Sequence, residues 1–313
     1  MLPLYDKFKK RDLLTLADYT SEEIQVILDV ALQLKKMHKK GIPTLYLKGK
    51  TLGMIFQKAS TRTRVSFEVG MYQLGGQAIF LSSSDMQLER GESIADTARV
   101  LSRYLDGIMI RTFKQSYVEE MAEYADIPVI NGLTDLTHPC QALADLLTIM
   151  EHKGKLKGLK LAYIGDGNNI AHSLLITSSK VGMDICVATP KGYEPDKMIV
   201  MIAKEEADKN GSAVIISDDP VDAVKDADVV VTDVWTSMGQ ENEANDRAKV
   251  FKDYQVNLKL VSNAKPDFIF LHCLPAHRGE EVTSDVIDGV HSVMWDEAEN
   301  RLHVQKAVLT LLI

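Results

Sequence analysis

Only three cysteines occur in 313 residues, Cys140, Cys186 and Cys273, and no two of them form a CxxC pair. That scarcity excludes a disulfide framework and a structural zinc site, and it suits a reducing cytoplasm. Positive charge is also in short supply: 36 Lys and Arg against 44 Asp and Glu leave a formal net charge of −8. Nucleic-acid binding needs a clustered basic surface, so that class of partner is set aside. No apolar run approaches the ~20 residues of a membrane span. Residues 1–10 contain lysines but no hydrophobic stretch follows them, so neither a secretory signal nor a membrane partner is expected. What remains is a globular composition, 45% hydrophobic and 26% charged, in a chain long enough for two ordinary domains.

The clearest local pattern is a helix over residues 20–40. Thr20 and Glu23 have capping-box spacing, Ile24, Ile27, Leu28, Ala31 and Leu34 make one apolar stripe, and lysines crowd the end before Gly41. After it, short β-rich apolar runs alternate with helical stretches. Strands are expected at residues 51–56, 77–81, 107–110 and 128–130, then at 159–164, 184–188, 213–216, 228–232 and 267–271. Runs such as Val229-Val230-Val231 read as strands buried on both faces, which is the habit of parallel sheets. The fold class is therefore α/β, two doubly wound parallel-sheet domains. A Lys/Gly-rich break at residues 151–158 divides the chain into domains of residues 1–150 and 151–313, with a closing helix over about 297–313.

Four polar clusters each follow an expected strand, at the sheet edge where ligands bind in open α/β folds. Ser60-Thr61-Arg62-Thr63-Arg64 opens a helix running towards Leu74. Arginine in a first helical turn faces the positive end of the helix dipole, so two of them there suit a bound anion, with backbone N–H groups and hydroxyls aimed at the same oxygens. The alternative is a surface turn with solvated charges. Arg111 ends another strand and offers a further guanidinium. In His138-Pro139-Cys140-Gln141 the proline fits the first position of a helix over 141–150. His138 can donate to a carbonyl oxygen and Gln141 can accept from an NH₂ group, unless the histidine merely caps the helix. Cys140 reads as a small buried residue.

In the second half, Gly165-Asp166-Gly167-Asn168-Asn169 superficially suggests a dinucleotide loop and hence a dehydrogenase. Ile170 stands where the third glycine is expected, so the signal for NAD is weak. Asn168 and Asn169 instead suit a carboxylate at a helix start. Asp233 and Cys273 each end a strand and make a pair for a substrate ammonium, or alternatively a helix cap and a buried thiol. The polar stretch at 236–254 reads as a long loop of lid type.

Taken together, STRTR at 60–64, HPCQ at 138–141, DVWTSMG at 233–239 and HCLP at 272–275 resemble the aspartate/ornithine carbamoyltransferase family, in order and spacing and over essentially the whole chain. HCLP and Ser-Met-Gly are similar to the ornithine branch. The aspartate branch is expected to carry a PLPR-type segment instead of HCLP, and a lysine where residues 82–87 read SSSDMQ. The putrescine branch is expected to lack Ser-Met-Gly.

The resemblance implies transfer of the carbamoyl group of carbamoyl phosphate to the δ-amine of L-ornithine, giving L-citrulline and phosphate. Another amine (putrescine, lysine or an acylated ornithine) is the alternative. It implies that Ser60, Thr61, Arg62, Thr63, Gln87, Arg111, His138, Gln141, Cys273, Leu274 and Arg301 hold carbamoyl phosphate, Gln87 being lent by a neighbouring subunit. Asn169, Asp233, Ser237 and Met238 would hold ornithine, and Arg62, Arg111, His138, Cys273 and Asp233 would carry the catalysis. It further implies a homotrimer or an assembly of trimers, no metal, no organic cofactor, an active site in the cleft between the domains, and a last helix that returns to the first domain.

Overall fold

The computed structural model describes residues 6–82, 86, 91–237, 239 and 241–313. Backbone contacts divide the chain into two compact units, Met1–Ala144 with Asn300–Ile313, and Asp145–Glu299. Each is built on one wholly parallel sheet.

The first unit contains β1 (Thr51–Phe56), β2 (Gln77–Ser82), β3 (Gly107–Arg111) and β4 (Val129–Leu133) in the order β2-β1-β3-β4. Strand order reverses direction between β1 and β3, which makes the ends of those two strands the natural binding crevice of this sheet. Inner strands β1 and β3 are buried almost throughout, whereas every residue of the edge strand β2 is exposed or half-buried. Their apolar side chains, among them Ile55, Ile108 and Ile110, pack with Ala98, Val118 and Met121 from flanking helices. The first helix, Ser21–Lys39, carries the expected capping box: Thr20 Oγ1 accepts from Glu23 N, and Glu23 Oε2 accepts from Thr20 N.

The last helix, Met294–Leu312, supplies its C-terminal part to this unit. The helix Thr61–Gln73 packs against it at Gly70, where a Cβ would stand 3.4 Å from Lys306 Cγ and 3.7 Å from Leu302 Cδ1, ordinary van der Waals contact. Lys35 Nζ donates to Asn300 Oδ1 at 2.8 Å, and Lys10 N donates to Leu312 O at 3.0 Å.

The second unit contains β5 (Lys160–Ile164), β6 (Asp184–Ala188), β7 (Val214–Ser217), β8 (Val229–Thr232) and β9 (Ile269–His272) in the order β7-β6-β5-β8-β9. Its direction reverses between β5 and β8. The register Ile164↔Thr232 and Thr232↔His272 aligns the ends of β5, β8 and β9, so the residues that follow them emerge side by side. All nine expected strands are present, two with the expected bounds and the rest with ends moved by at most three residues.

One expectation fails. Residues 236–254 are not a long loop, because they include the 3-10 turns Glu241–Glu243 and Lys252–Tyr254 and the helix Ala244–Val250. That short helix buries Arg247 rather than an apolar stripe, so hydrophobic periodicity has nothing to report. Among the described residues, no helix is long and apolar enough to cross a membrane.

Candidate active site

In the first unit, Ser60 ends the β1 loop as the N-cap of helix Thr61–Gln73, and its Oγ accepts from Thr63 N at 3.2 Å. Thr61 is exposed and Arg62 half-buried in the first turn, while Thr63 turns inward and is 1% exposed. Arg111 ends β3 beside β1, its Cα paired with that of Phe56, and is buried.

His138 immediately precedes the helix Pro139–Lys153 and is buried. Pro139, with φ preset and no N–H to satisfy, starts that helix and so fixes where the imidazole stands. Arg301, from the last helix, joins these pieces. Its Nη1 donates to His138 Nε2 at 3.1 Å and to Gln141 Oε1 at 2.6 Å, and its Nη2 donates to Thr63 Oγ1 at 2.8 Å. A guanidinium only donates, so His138 Nε2 is the acceptor and the ring proton sits on Nδ1. Burial above all, then the charges of Arg301, Arg111 and Arg62, hold the His138 pKa well below the ordinary imidazole value. The ring is neutral at pH 7. The result is a group of three cations around one uncharged hydrogen-bond donor, suited to an anion that also carries a carbonyl.

One expectation needs correction here. Arg64 does not join the group: its Nε donates to Glu68 Oε1 at 2.9 Å and its guanidinium lies 3.7 Å from the Phe80 ring centroid. Successive helical residues are about 100° apart, so positions 62 and 64 project to nearly opposite sides. Gln141 Oε1, expected to accept from an NH₂ group, accepts from Arg301 Nη1 and keeps a second lone pair for another donor. Cys140 is fully buried, and burial pushes its thiol up to about 12, as befits a core residue. Gln87 lies outside the described residues.

In the second unit, Asp233 follows β8 and Cys273 follows β9. Asp233 Oδ1 accepts from Val234 N at 2.8 Å and from Cys273 Sγ at 3.1 Å, and Oδ2 accepts from Asn168 Nδ2 at 2.9 Å. Burial, reinforced by the Asp233 charge, raises the Cys273 pKa well above its ordinary value. Cys273 is therefore a thiol that donates, not a thiolate that attacks.

Asn168 is the N-cap of helix Asn169–Lys180, its Oδ1 accepting from Ile170 N at 2.9 Å and Ala171 N at 3.3 Å. Those N–H groups are the ones a dinucleotide pyrophosphate would need, and Thr189, not an acid, follows β6. The dehydrogenase reading has no support in this geometry. Asn169 is half-buried in the first helical turn; Ser237 is also half-buried, four residues past Asp233, and Met238 lies outside the described residues.

Leu274 adopts a left-handed φ of 60° and its N–H donates to His272 Nδ1 at 2.9 Å. The other ring nitrogen, Nε2, therefore carries the proton, and it lies 3.0 Å from Glu281 Oε1. His272 N in turn donates to Glu297 Oε2 at 2.8 Å. This support for the Cys273-Leu274 corner was not foreseen, since Glu281 and Glu297 are remote from any motif. Asp233, His272 and Cys273 offer three possible metal-ligand atoms within 4.8 Å, but each of these side chains is engaged in the hydrogen bonds just described.

Comparisons with known proteins cover both halves of the chain. Residues 11–151 match the carbamoyl-P binding domain of aspartate/ornithine carbamoyltransferases, and residues 157–312 match their Asp/Orn binding domain. The ornithine carbamoyltransferase of Carboxydothermus hydrogenoformans is 65% identical over 98% of both chains. An anabolic ornithine carbamoyltransferase of Pyrococcus furiosus is 61% identical over 97% of this chain and 96% of its own. A solved structure of the Pyrococcus furiosus enzyme superposes with a TM-score of 0.95 at 61% identity, covering 97% of each chain. A mitochondrial ornithine carbamoyltransferase from Coccidioides immitis, 38% identical, still gives 0.88 over 96% of each. With family models matching residues 11–151 and 157–312 and relatives covering 97–98% of its length, the chain belongs to the aspartate/ornithine carbamoyltransferase family.

Proposed function

We propose that the protein is an ornithine carbamoyltransferase, which transfers the carbamoyl group of carbamoyl phosphate to the δ-amine of L-ornithine and releases L-citrulline and phosphate. The observation that carries this reading is the neutral, buried His138 set among Arg62, Arg111 and Arg301. Such a group suits an acyl phosphate, whose anionic end pairs with guanidiniums while its carbonyl takes a neutral donor. Relatives at 60–65% identity carry the ornithine name, which favours ornithine over putrescine, lysine or an acylated ornithine.

In this reading Ser60, Thr61, Arg62, Thr63, Arg111, His138, Gln141, Cys273, Leu274 and Arg301 hold carbamoyl phosphate, and Asn169, Asp233, Ser237 and Met238 hold ornithine. The amine nitrogen attacks the carbonyl carbon, and the C=O π pair moves onto oxygen. Arg62, Arg111 and His138 stabilise that oxyanion by charge and hydrogen bonds already in place. Collapse re-forms C=O and breaks the C–O bond to phosphate, which departs with the electron pair and takes the proton released from nitrogen. The nucleophile must first be neutral. An alkylamine of pKa about 10.4 lies roughly 3.4 units from that state at pH 7, a cost of about 4–5 kcal/mol. Exclusion of water lowers the amine pKa and Asp233 alone would raise it, so Asp233 and Cys273 act by orienting the nitrogen.

The proposal assigns carbamoyl phosphate to residues 1–150 and ornithine to residues 151–313, with the last helix belonging to the first group. It also makes Gln87 a residue lent by a neighbouring copy in a homotrimer or an assembly of trimers, working in the cytoplasm in arginine biosynthesis. The test is citrulline formation from ornithine and carbamoyl phosphate, run beside putrescine and aspartate. Turnover of another amine with none of ornithine would overturn it, and sedimentation of a monomer would overturn the trimer.

A further inference from the structure

Arg247 is buried to 4% exposure and its guanidinium is divided among three parts of the second unit. Nη2 pairs with Asp166 Oδ2 in the turn after β5, Nε donates to Trp235 O at 2.6 Å, and Nη1 lies 3.5 Å from Glu243 Oε2. Its guanidinium carbon lies over two aromatic rings, 4.8 Å from the Tyr193 centroid and 5.4 Å from that of Phe251, on which Trp235 stacks. A buried guanidinium is costly to desolvate and persists only where its bonding is nearly complete. Here its partners bracket one segment: Trp235 lies two residues before Ser237, and Glu243 four residues after Gly239. Its third partner, Asp166, lies two residues before Asn168, which holds Asp233. The same turn thus anchors the carboxylate that faces the nucleophile and the segment that grips the rest of it.

We infer that Arg247 and Asp166 form a latch that positions the 235–237 segment for the α-amino-acid end of the nucleophilic substrate. The inference rests on the ornithine reading above and names two positioning residues for it, neither of which touches substrate. Lysine cannot replace arginine in this role, because a single ammonium does not reach three separated acceptors in a plane.

The experiment compares the full-length enzyme with Arg247→Lys, Arg247→Met and Asp166→Asn. The probe is L-norvaline, which keeps the α-amino-acid end of ornithine and lacks the attacking δ-amine. The expected result is an inhibition constant for norvaline and a KM for ornithine that rise about tenfold, while the KM for carbamoyl phosphate stays within about twofold. An unchanged norvaline constant overturns the latch, and so does a proportional rise in the carbamoyl phosphate KM, which is what general loosening would give. Should Arg247→Met fail to fold, the isosteric Asp166→Asn decides by the same two constants. A parent enzyme that makes no citrulline would instead refute the ornithine reading; an active parent whose variants keep their norvaline affinity refutes only the latch.

Discussion

Arg301 Nη1 lies 3.1 Å from His138 Nε2, although 163 positions of sequence separate the two residues. Because the arginine can only donate, this contact fixes the tautomer of the histidine. It keeps Nδ1 as the N–H that can meet a carbonyl, and it does so with a cation that also opposes protonation of the ring.

Replacing Arg301 by lysine keeps a charge but loses the bonds to His138, Gln141 and Thr63 together. Hydrogen bonds to charged groups contribute about 1.5–3 kcal/mol each. Carbamoyl phosphate affinity, measured by calorimetry, is expected to fall between about tenfold and a few hundredfold.

The depressed pKa of His138 makes a statement about stability. In the unfolded chain the ring takes a proton below about pH 6.5, while in the folded chain it stays neutral to a much lower pH. The unfolded state therefore binds more protons in that window, and stability falls as pH drops. At pH 5.5 the loss from this one residue is on the order of 1 kcal/mol. Denaturant unfolding of His138→Gln at pH 7.5 and 5.5 should show a correspondingly smaller drop than the parent.

Cys273 is held as a thiol that donates to Asp233. Cys273→Ala should lower kcat with ornithine by about ten- to a hundredfold, a loss of roughly 1.4–2.7 kcal/mol, with carbamoyl phosphate binding nearly intact. Cys273→Ser, which keeps a donor, should retain more. Alkylation by iodoacetamide at pH 8 should be slow for the folded parent and speed up only well above pH 9, since the thiol pKa is raised.

Asn168 serves both the helix Asn169–Lys180 and Asp233. Asn168→Ala removes a cap worth about 1 kcal/mol, which is a fall of about 2–4 °C in Tm, and should also impair ornithine turnover. Asn168→Asp keeps the cap but sets a second carboxylate beside Asp233, so turnover should suffer more than thermal stability.

Gly167 is fixed by space. A Cβ there would stand 2.3 Å from Pro195 N and 2.5 Å from Tyr193 O, both backbone atoms that cannot swing aside. Gly167→Ala should therefore cost about 1–3 kcal/mol or more, read as a lowered unfolding midpoint.

The strands were legible because each is a short apolar run with its own turn signals, and β1 and β6 have the bounds expected of them, Thr51–Phe56 and Asp184–Ala188. The helix Ser21–Lys39 was legible because its cap, stripe and charged end all lie within one segment. The helix Ala244–Val250 was hidden because an arginine, paired with a distant aspartate, stands where a sequence pattern needs an apolar residue. Arg64 was misread because residue type says nothing of side-chain direction, which the helix geometry set towards Glu68 and Phe80.

By itself, the sequence determined what is local or periodic in this protein: strand runs, caps, the helix starts at Ser60 and Pro139, and four clusters whose residue types announce their chemistry. Only tertiary structure decided which of those side chains meet. Arg301 with His138, Asp166 with Arg247, and Asn168 with Asp233 are separated by 163, 81 and 65 positions. Such pairings follow from parallel strands being joined by long crossovers, which bring strand ends together in an order that no local pattern encodes.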